Sequence, residues 1–404
     1  MVSFLEQAQE LLPQLVQWRR HIHQYPELSF EEHDTQRYIL EELATMGLTP
    51  KAMGGTGVVV DIGQGPRTVA IRADIDALPL TEESDVPFAS RTPGVMHACG
   101  HDGHTAILLG VAKVLVAQNS SLPGRIRLMF QPAEEQIPGG AQLLIAEGVL
   151  DEVDRVLGLH LSSDLNTGLA GAVIGAQTAN ADRFTITIEG RGGHGSQPEL
   201  SVDPVVIAAE MVLALQTIVS RNISPRHPAV LTIGTIQSGS NFNIIAPRAT
   251  LTGTVRTFSQ ADRHLIQQRM QALTENLASA HEASSHLDYQ EGYPSVDNTL
   301  LETELTYEVI RTVLGPGGLH PITPLMAGED FSYYQTICPG TFFMLGCGNV
   351  AVGARFPHHH PQFTLDENAL PLGTAILVET ALEFLLINEH HVATTWGGQK
   401  GHED

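Results

Sequence analysis

Residues 68–80 read TVAIRADIDALPL. The run is apolar enough to be buried on both faces, as strands of a parallel sheet are, and it breaks into a turn at two aspartates and a proline. Residues 104–118, HTAILLGVAKVLVAQ, read as a crossover helix, and residues 125–135, RIRLMFQPAEE, bring the next strand. GVVVDIG (57–63) and RVLGLHL (155–161) have the same texture. Upstream, residues 4–23 and 31–47 carry helical spacing, the second stretch ending at a glycine suited to a helix C-terminus. Alternation of this kind predicts an α/β sandwich whose site gathers at the carboxyl ends of its strands.

From residue 182 the texture changes. DRFTITIEGRG (182–192) alternates apolar and polar positions, as a strand with one wet face does. A helix over 204–219, strands in 229–239 and 243–258, a helix over about 260–283 and a strand in 286–293 complete a β-α-β-β-α-β order, a ferredoxin-like module. After Pro294 the chain returns to the first texture, with TFFMLGCG (341–348) as a buried strand and residues 368–386 as a closing helix. The organisation expected is one domain from 1–181 and 294–404, interrupted by a smaller inserted domain over 182–293. The polar tail 388–404 reads as frayed.

Composition bounds the function. At 404 residues two domains are expected. With 45 acidic against 22 basic residues the formal net charge is −23, which opposes nucleic acid and anionic membrane surfaces. The N-terminus lacks an unbroken apolar signal region. The longest apolar stretches are interrupted by Lys113 or Glu210 and read as short of a membrane span. Three cysteines, Cys99, Cys338 and Cys347, cannot all pair, which fits reduced thiols and a cytoplasmic location.

The chemistry concentrates in MHACGHDGHT, residues 96–105. Four more clusters of ligand-type side chains follow strands of the same proposed sheet: Asp74 with Asp76, Glu134 with Glu135, His160, and the histidines of HHHPQF (358–363). Taken singly, His160 would be a core histidine, Cys99 an inert small hydrophobe and the glutamates a solvated pair. Their joint placement at strand ends favours one shared site. Thiolate, imidazole and carboxylate together suit zinc or a neighbouring divalent transition metal rather than calcium or magnesium. No second cysteine stands near Cys338 or Cys347 in a C-x-x-C pair, so a catalytic site is the better reading than a closed structural one.

MHACGHDGHTA, QPAEE, GLH, GRGGHGSQP, GTVRTF, AGEDF and HHPQF, in that order, together with RRHIHQYPELSFEE (19–32), resemble the di-metal amidohydrolases of the aminoacylase/carboxypeptidase type. The closest subfamily holds hippurate hydrolases, N-acyl-L-amino-acid amidohydrolases and indoleacetyl-amino-acid hydrolases. The resemblance implies a zinc-peptidase-like catalytic domain, an inserted lid and dimerisation domain, and a homodimer or dimer-based oligomer. It implies two divalent metal ions per subunit (Zn, Mn, Co or Ni) on Cys99, His101, Glu135, His160 and His359, with Cys99 bridging. His359 is selected because the family pattern His-x-Pro-x-Phe places the ligand two residues before Pro361, which leaves His358 and His360 as bystanders. Glu134 would be the general base. His194 would stabilise the oxyanion, reaching from the partner subunit, and Arg256 and Asn243 would hold the substrate α-carboxylate. Asp102 and Glu329 would brace ligand imidazoles. The wider family has His-x-Asp where this chain has DIDALP, so the metal role moves to His101, and Asp74 and Asp76 both stay as candidates for orienting the shell. The activity implied is hydrolysis of small-molecule N-acyl amino acids, N-acetyl or N-benzoyl among them. The alternative is a metallo-dipeptidase or carboxypeptidase on the same site.

Overall fold

A computed structural model describes residues 2–118 and 122–387, and the tail 388–404 lies outside them. Two compact units divide the chain. The first comprises Met1–Gly175, Asp297–Thr323 and Asp330–Asp404, and the second Ala176–Val296 and Pro324–Glu329. The second is wider at both ends than 182–293 and takes a short return segment as well.

The first unit is built on a seven-stranded mixed sheet. Its order is Lys51–Met53, Gly57–Gly63, Arg125–Gln131, Thr68–Asp74, Arg155–Asn166, Gly340–Gly348, Ala170–Gly171. The four strands 125–131, 68–74, 155–166 and 340–348 run parallel. Every residue of Thr68–Asp74 and of Gly340–Gly348 is buried, which is why both read as continuous apolar runs. Gly57–Gly63, expected in the parallel set, instead pairs antiparallel with Arg125–Gln131. It is joined to Thr68 by only four residues, far fewer than a parallel crossover needs, so the chain must reverse.

Register places the site. Asp74 pairs with Gln131, Arg72 with Gly158, and His160 with Met344. Two residues beyond the Arg72–Gly158 pair, Asp74 is level with His160, so one line across the sheet carries both. Helix His101–Gln118 starts at this end of the sheet and packs against strand 68–74 and helices Leu12–Gln24 and Ala369–Leu386. It is apolar nearly all round because it is enclosed, with fourteen residues buried. Gly100 turns the chain into this helix with φ +93°. A Cβ on Gly103 would lie 2.6 Å from Leu161 Cδ1, so only glycine lets the helix start this close to the strand that carries His160.

The second unit is a four-stranded antiparallel sheet in the order Ala229–Ser238, Arg248–Thr257, Asp182–Glu189, Ser284–Gln290. Helices Pro204–Asn222 and Gln260–Ala280 complete the β-α-β-β-α-β order. Strand 182–189 alternates buried and half-exposed positions after its first pair, as its sequence predicts. Asp203 and Ser259 cap the two helices through Val205 N and Asp262 N. Its core joins Phe184, Ile186, Met211, Leu215, Leu251 and Met270.

Among the described residues two helices, Pro204–Asn222 and Ala369–Leu386, are long and apolar enough to cross a membrane by length and composition, contrary to the reading of short, interrupted stretches. Most of Ala369–Leu386 is buried in the core of its unit. Pro204–Asn222 buries Ile207, Ala208, Met211, Leu215 and Ile218.

Candidate metal centre

The first unit brings the candidate ligands together. Cys99, His101 and Glu135 form one donor group and Cys99, His160 and His358 another, each with its ligand atoms within 4.8 Å of one another. The Cys99 sulfur belongs to both groups. Cys99 Sγ lies 3.5 Å from His160 Nε2, and Glu135 Oε1 lies 3.2 Å from His359 Nε2. His359 takes φ +62°, and its N–H donates to Ala98 O at 2.8 Å, which ties the histidine segment to the Cys99 turn. His358, expected as a bystander, is the histidine that neighbours Cys99 and His160. Its ring lies 5.0 Å from that of His160 and meets Phe363 edge-on.

Asp76 and Asp74 each hydrogen-bond a different histidine, and Asp74 Oδ2 also lies 3.5 Å from His101 Nε2. His101 Nδ1 donates to Asp76, both to the backbone oxygen at 2.9 Å and to Oδ1 at 3.2 Å. Asp76 Oδ2 accepts from Glu135 N at 3.0 Å and Ser29 Oγ at 2.7 Å. Asp74 accepts from His104 Nδ1 at 2.6 Å and Arg72 Nη1 at 2.7 Å.

These surroundings fit a bound cation. His101 Nε2 is buried without a hydrogen-bond partner, an orphan that a metal would satisfy. Burial and then the carboxylates of Glu135, Glu134 and Asp74 push the Cys99 thiol well above its ordinary value. Burial would lower His101, yet Asp74 and Asp76 overcome it and raise the imidazole to about 10. Burial also opposes ionisation of Asp74, but His101, His104 and Arg72 hold it well below the usual carboxylate range. Burial keeps His160 neutral. A thiol and an imidazole held protonated by acidic neighbours are the groups a divalent ion would deprotonate.

Glu134 is buried beside Glu135, directly after Ala133, which has φ +52°. Ala133 N donates to Glu32 Oε1 at 2.8 Å, and Thr56 Oγ1 donates to Glu32 Oε2. Asp102 does not brace a ligand imidazole. Its Oδ2 accepts from Arg19 Nε at 2.7 Å and His23 Nδ1 at 2.8 Å, because the first helical turn points it at helix Leu12–Gln24 rather than at the donors. Glu329 falls in the second unit.

His194, Arg256 and Asn243 lie on the second unit. Gly193–His194 pairs antiparallel with Ile244–Ile245, and Gly195 N donates to Asn243 O at 2.9 Å, so His194 and Asn243 are neighbours. His194 is exposed, and its Nδ1 accepts from Ser196 N at 3.2 Å. Since a backbone N–H can only donate, the hydrogen of the neutral ring sits on Nε2. Arg256 is half-buried and bonds Thr254 Oγ1 at 2.5 Å and Val255 O at 3.3 Å. Among the described residues no carboxylate pairs with it.

The 19–32 segment carries supporting residues that sequence reasoning passed over: Arg19, His23, Ser29 and Glu32 hold Asp102, Asp76 and Ala133. Arg72 and His104 likewise hold Asp74. The available signal was charge inside apolar runs, as in AIRAD, since a buried charge requires a partner.

The model for peptidase family M20/M25/M40 matches residues 70–383. The N-acetyl-L-cysteine deacetylase of Bacillus subtilis is 42% identical over 93% of this chain and 89% of its own length. Thermostable carboxypeptidase 1 of Saccharolobus solfataricus is 38% identical over 93% of this chain and 97% of its own. Among solved structures, a dinuclear metal binding peptidase of the M20 family from Bacillus subtilis superposes with a TM-score of 0.82 at 33% identity, covering 94% of this chain and 99% of that one. With strand-end clusters, sheet and family pattern in agreement, the chain is a hydrolase belonging to peptidase family M20/M25/M40.

Proposed function

We propose that the protein is an amidohydrolase that cleaves N-acyl amino acids, such as N-acetyl or N-benzoyl derivatives, to a carboxylic acid and a free amino acid. Cys99, His101, Glu135, His160 and His359 would hold two divalent ions, zinc, manganese, cobalt or nickel. The observation that carries this reading is the sharing of the Cys99 sulfur by two donor groups, Cys99–His101–Glu135, whose Glu135 Oε1 lies 3.2 Å from His359 Nε2, and Cys99–His160–His358, beside the orphaned His101 Nε2. When bound, the ion pair supplies Lewis-acid polarisation of the amide carbonyl and lowers the pKa of the attacking water.

The chain does the rest. Glu134 accepts the proton of the attacking water and returns it to the leaving amine. Asp76 keeps His101 oriented. His194 donates from Nε2 to the carbonyl oxygen as negative charge develops. Arg256, which no carboxylate among the described residues ion-pairs, and Asn243 hold the substrate α-carboxylate. Domain 182–293 serves as lid and dimerisation module, and His194 acts in the partner's site. Two features support the dimer: the edge strand Ala229–Ser238, and the outer face of helix Pro204–Asn222, where Leu213 is 72% exposed. A net charge of −23 supports a small-molecule partner rather than nucleic acid or an anionic membrane, and the three free cysteines support a cytoplasmic location.

Chelation followed by divalent-metal reconstitution, with N-acetyl and N-benzoyl amino acids assayed beside an unblocked dipeptide, tests the reading. Metal-dependent release of the amino acid from the acylated substrates supports it. Preference for the dipeptide would favour the alternative that the carboxypeptidase relative suggests, and full activity in verified metal-free protein would overturn the reading.

A further inference from the structure

We propose that Arg72, Asp74 and His104 form a positioning relay that fixes the ring of His160 for metal binding, and that His104 is consequently not a ligand. The inference rests on the ligand assignment above and concerns residues outside it.

The relay can be followed atom by atom. Asp74 accepts from Arg72 Nη1 at 2.7 Å and from His104 Nδ1 at 2.6 Å. An ionised carboxylate only accepts, so His104 carries its hydrogen on Nδ1. His104 Nε2 accepts the backbone N–H of Leu161 at 2.9 Å. Both ring nitrogens are therefore committed, and no lone pair is left for a metal. Leu161 passes the constraint on through its other backbone group, since its carbonyl accepts Nδ1–H of His160 at 2.7 Å. His160 is left in the tautomer whose Nε2 lone pair faces Cys99 Sγ, 3.5 Å away.

The far end of the relay is anchored. Arg72 Nε donates to Gln131 Oε1 at 2.9 Å and Nη2 to Asp330 Oδ1 at 2.7 Å, and Tyr334 OH donates to the same Gln131 oxygen at 3.0 Å. All of these side chains are buried. Gly103 supplies the spacing that lets His104 reach Leu161. His101 is braced directly by Asp76, whereas His160, on a strand with no acidic neighbour at its Nδ1, is braced at one remove by the other aspartate of the same DID triplet.

The test is metal binding, read apart from turnover. Wild-type protein, His104→Phe and His104→Gln are titrated with zinc against a chromophoric chelator. Phe keeps the bulk of the ring and removes both hydrogen bonds, whereas Gln keeps one donor and one acceptor. His104→Phe should weaken one of two ions by roughly 10–100-fold, the scale of a lost brace behind a ligand histidine. That ion should be the one His160→Ala removes, and His104→Gln should recover most of the loss. Unchanged affinities in His104→Phe, equal weakening of both ions, or better binding by Phe than by Gln would overturn the relay. So would a third zinc ion in the wild type that vanishes with His104, since Asp74, His101 and His104 would then be ligands themselves. Imidazole ¹⁵N shifts of the unaltered protein need no variant to fold: they should show His104 and His160 protonated at Nδ1 only, and protonation of His104 Nε2 refutes the scheme. A wild-type chain without two tight ions would overturn the ligand assignment itself, whereas two tight ions with indifferent variants overturn the relay alone.

Discussion

Asp76 meets one nitrogen of His101 twice: its backbone oxygen lies 2.9 Å and its Oδ1 3.2 Å from His101 Nδ1. The second carboxylate oxygen holds the backbone N–H of Glu135, so a single residue orders two proposed ligands from different segments. Asp76→Ala should lower metal affinity by roughly 10–100-fold, and Asp76→Asn less, because Asn still offers Nδ1 an acceptor. Chelator competition measures both, and wild-type affinity in Asp76→Ala would refute the role.

Glu134 and Glu135 are adjacent, yet their proposed tasks separate cleanly. Glu134→Gln should keep near-normal metal content and lose roughly 10²–10⁴-fold in kcat, the contribution typical of a positioned general base. Glu135→Gln should lose metal as well as activity. Elemental analysis beside initial rates decides the matter. Equal metal retention in both variants, or an active Glu134→Gln, contradicts the assignment.

Loading metal should release protons. Burial and acidic neighbours hold the Cys99 thiol well above its ordinary value, and Asp74 and Asp76 hold His101 protonated up to about 10. Both must be deprotonated to bind, so saturation at pH 8 should release about two protons per chain. Calorimetric titration in buffers of different ionisation enthalpy counts them, and release near zero would exclude a thiolate ligand.

Glu32 predicts a pH effect on stability. Its carboxyl is raised to about 7, first by burial and then by Asp76, against the opposing Thr56 and Ala133 hydrogen bonds. Between about pH 4.5 and 7 the folded chain therefore binds a proton that the unfolded chain has lost, so this group's stabilisation is present at acid pH and falls as pH rises. Glu32→Gln, which mimics the protonated form, should match wild type near pH 5 and exceed it near pH 8 by about 1–3 kcal/mol. Denaturant titrations at the two pH values, with metal removed, check the sign.

His194→Ala should lower turnover by roughly 10²–10³-fold with metal content unchanged, the scale of one oxyanion donor. If His194 works in the partner's site, mixing His194→Ala with Glu134→Gln under subunit exchange should recover activity, because each heterodimer holds one intact site. No recovery in proven heterodimers would mean that His194 acts in cis.

The sequence carries the sheet and the donor clusters openly, because strands buried on both faces must be apolar and their polar ends then stand out. Asp74, Asp76, Cys99, His101, Glu134, Glu135 and His160 were legible for that reason. What was not legible depends on pairing rather than pattern. GVVVDIG is as apolar as its parallel neighbours, and only the four-residue connection to Thr68 reveals its direction. Asp74 and Asp76 stand at the same strand end, and only tertiary packing gives one the Nδ1 of His104 and the other the Nδ1 of His101. Asp102 follows a ligand in sequence but turns away on the helix, toward Arg19. His358 and His359 are distinguished by the turn through φ +62°, which no residue type announces.

Arg19 and Arg20 share the Glu367 carboxylate, at 3.1 Å from Arg19 Nη1 and 2.7 Å from Arg20 Nη2, and Arg19 also holds Asp102 in the turn after His101. Two segments remote in sequence, around Arg19 and around Glu367, are thus latched together behind the donor cluster. In the order of synthesis, His101 comes first, and His359 and the carboxylate that closes this latch follow only after the whole second unit. A chain that has made His101 but not yet His359 and Glu367 carries an unfinished set of proposed donors, and a product truncated before Glu367 would leave two arginines with their shared counter-charge missing.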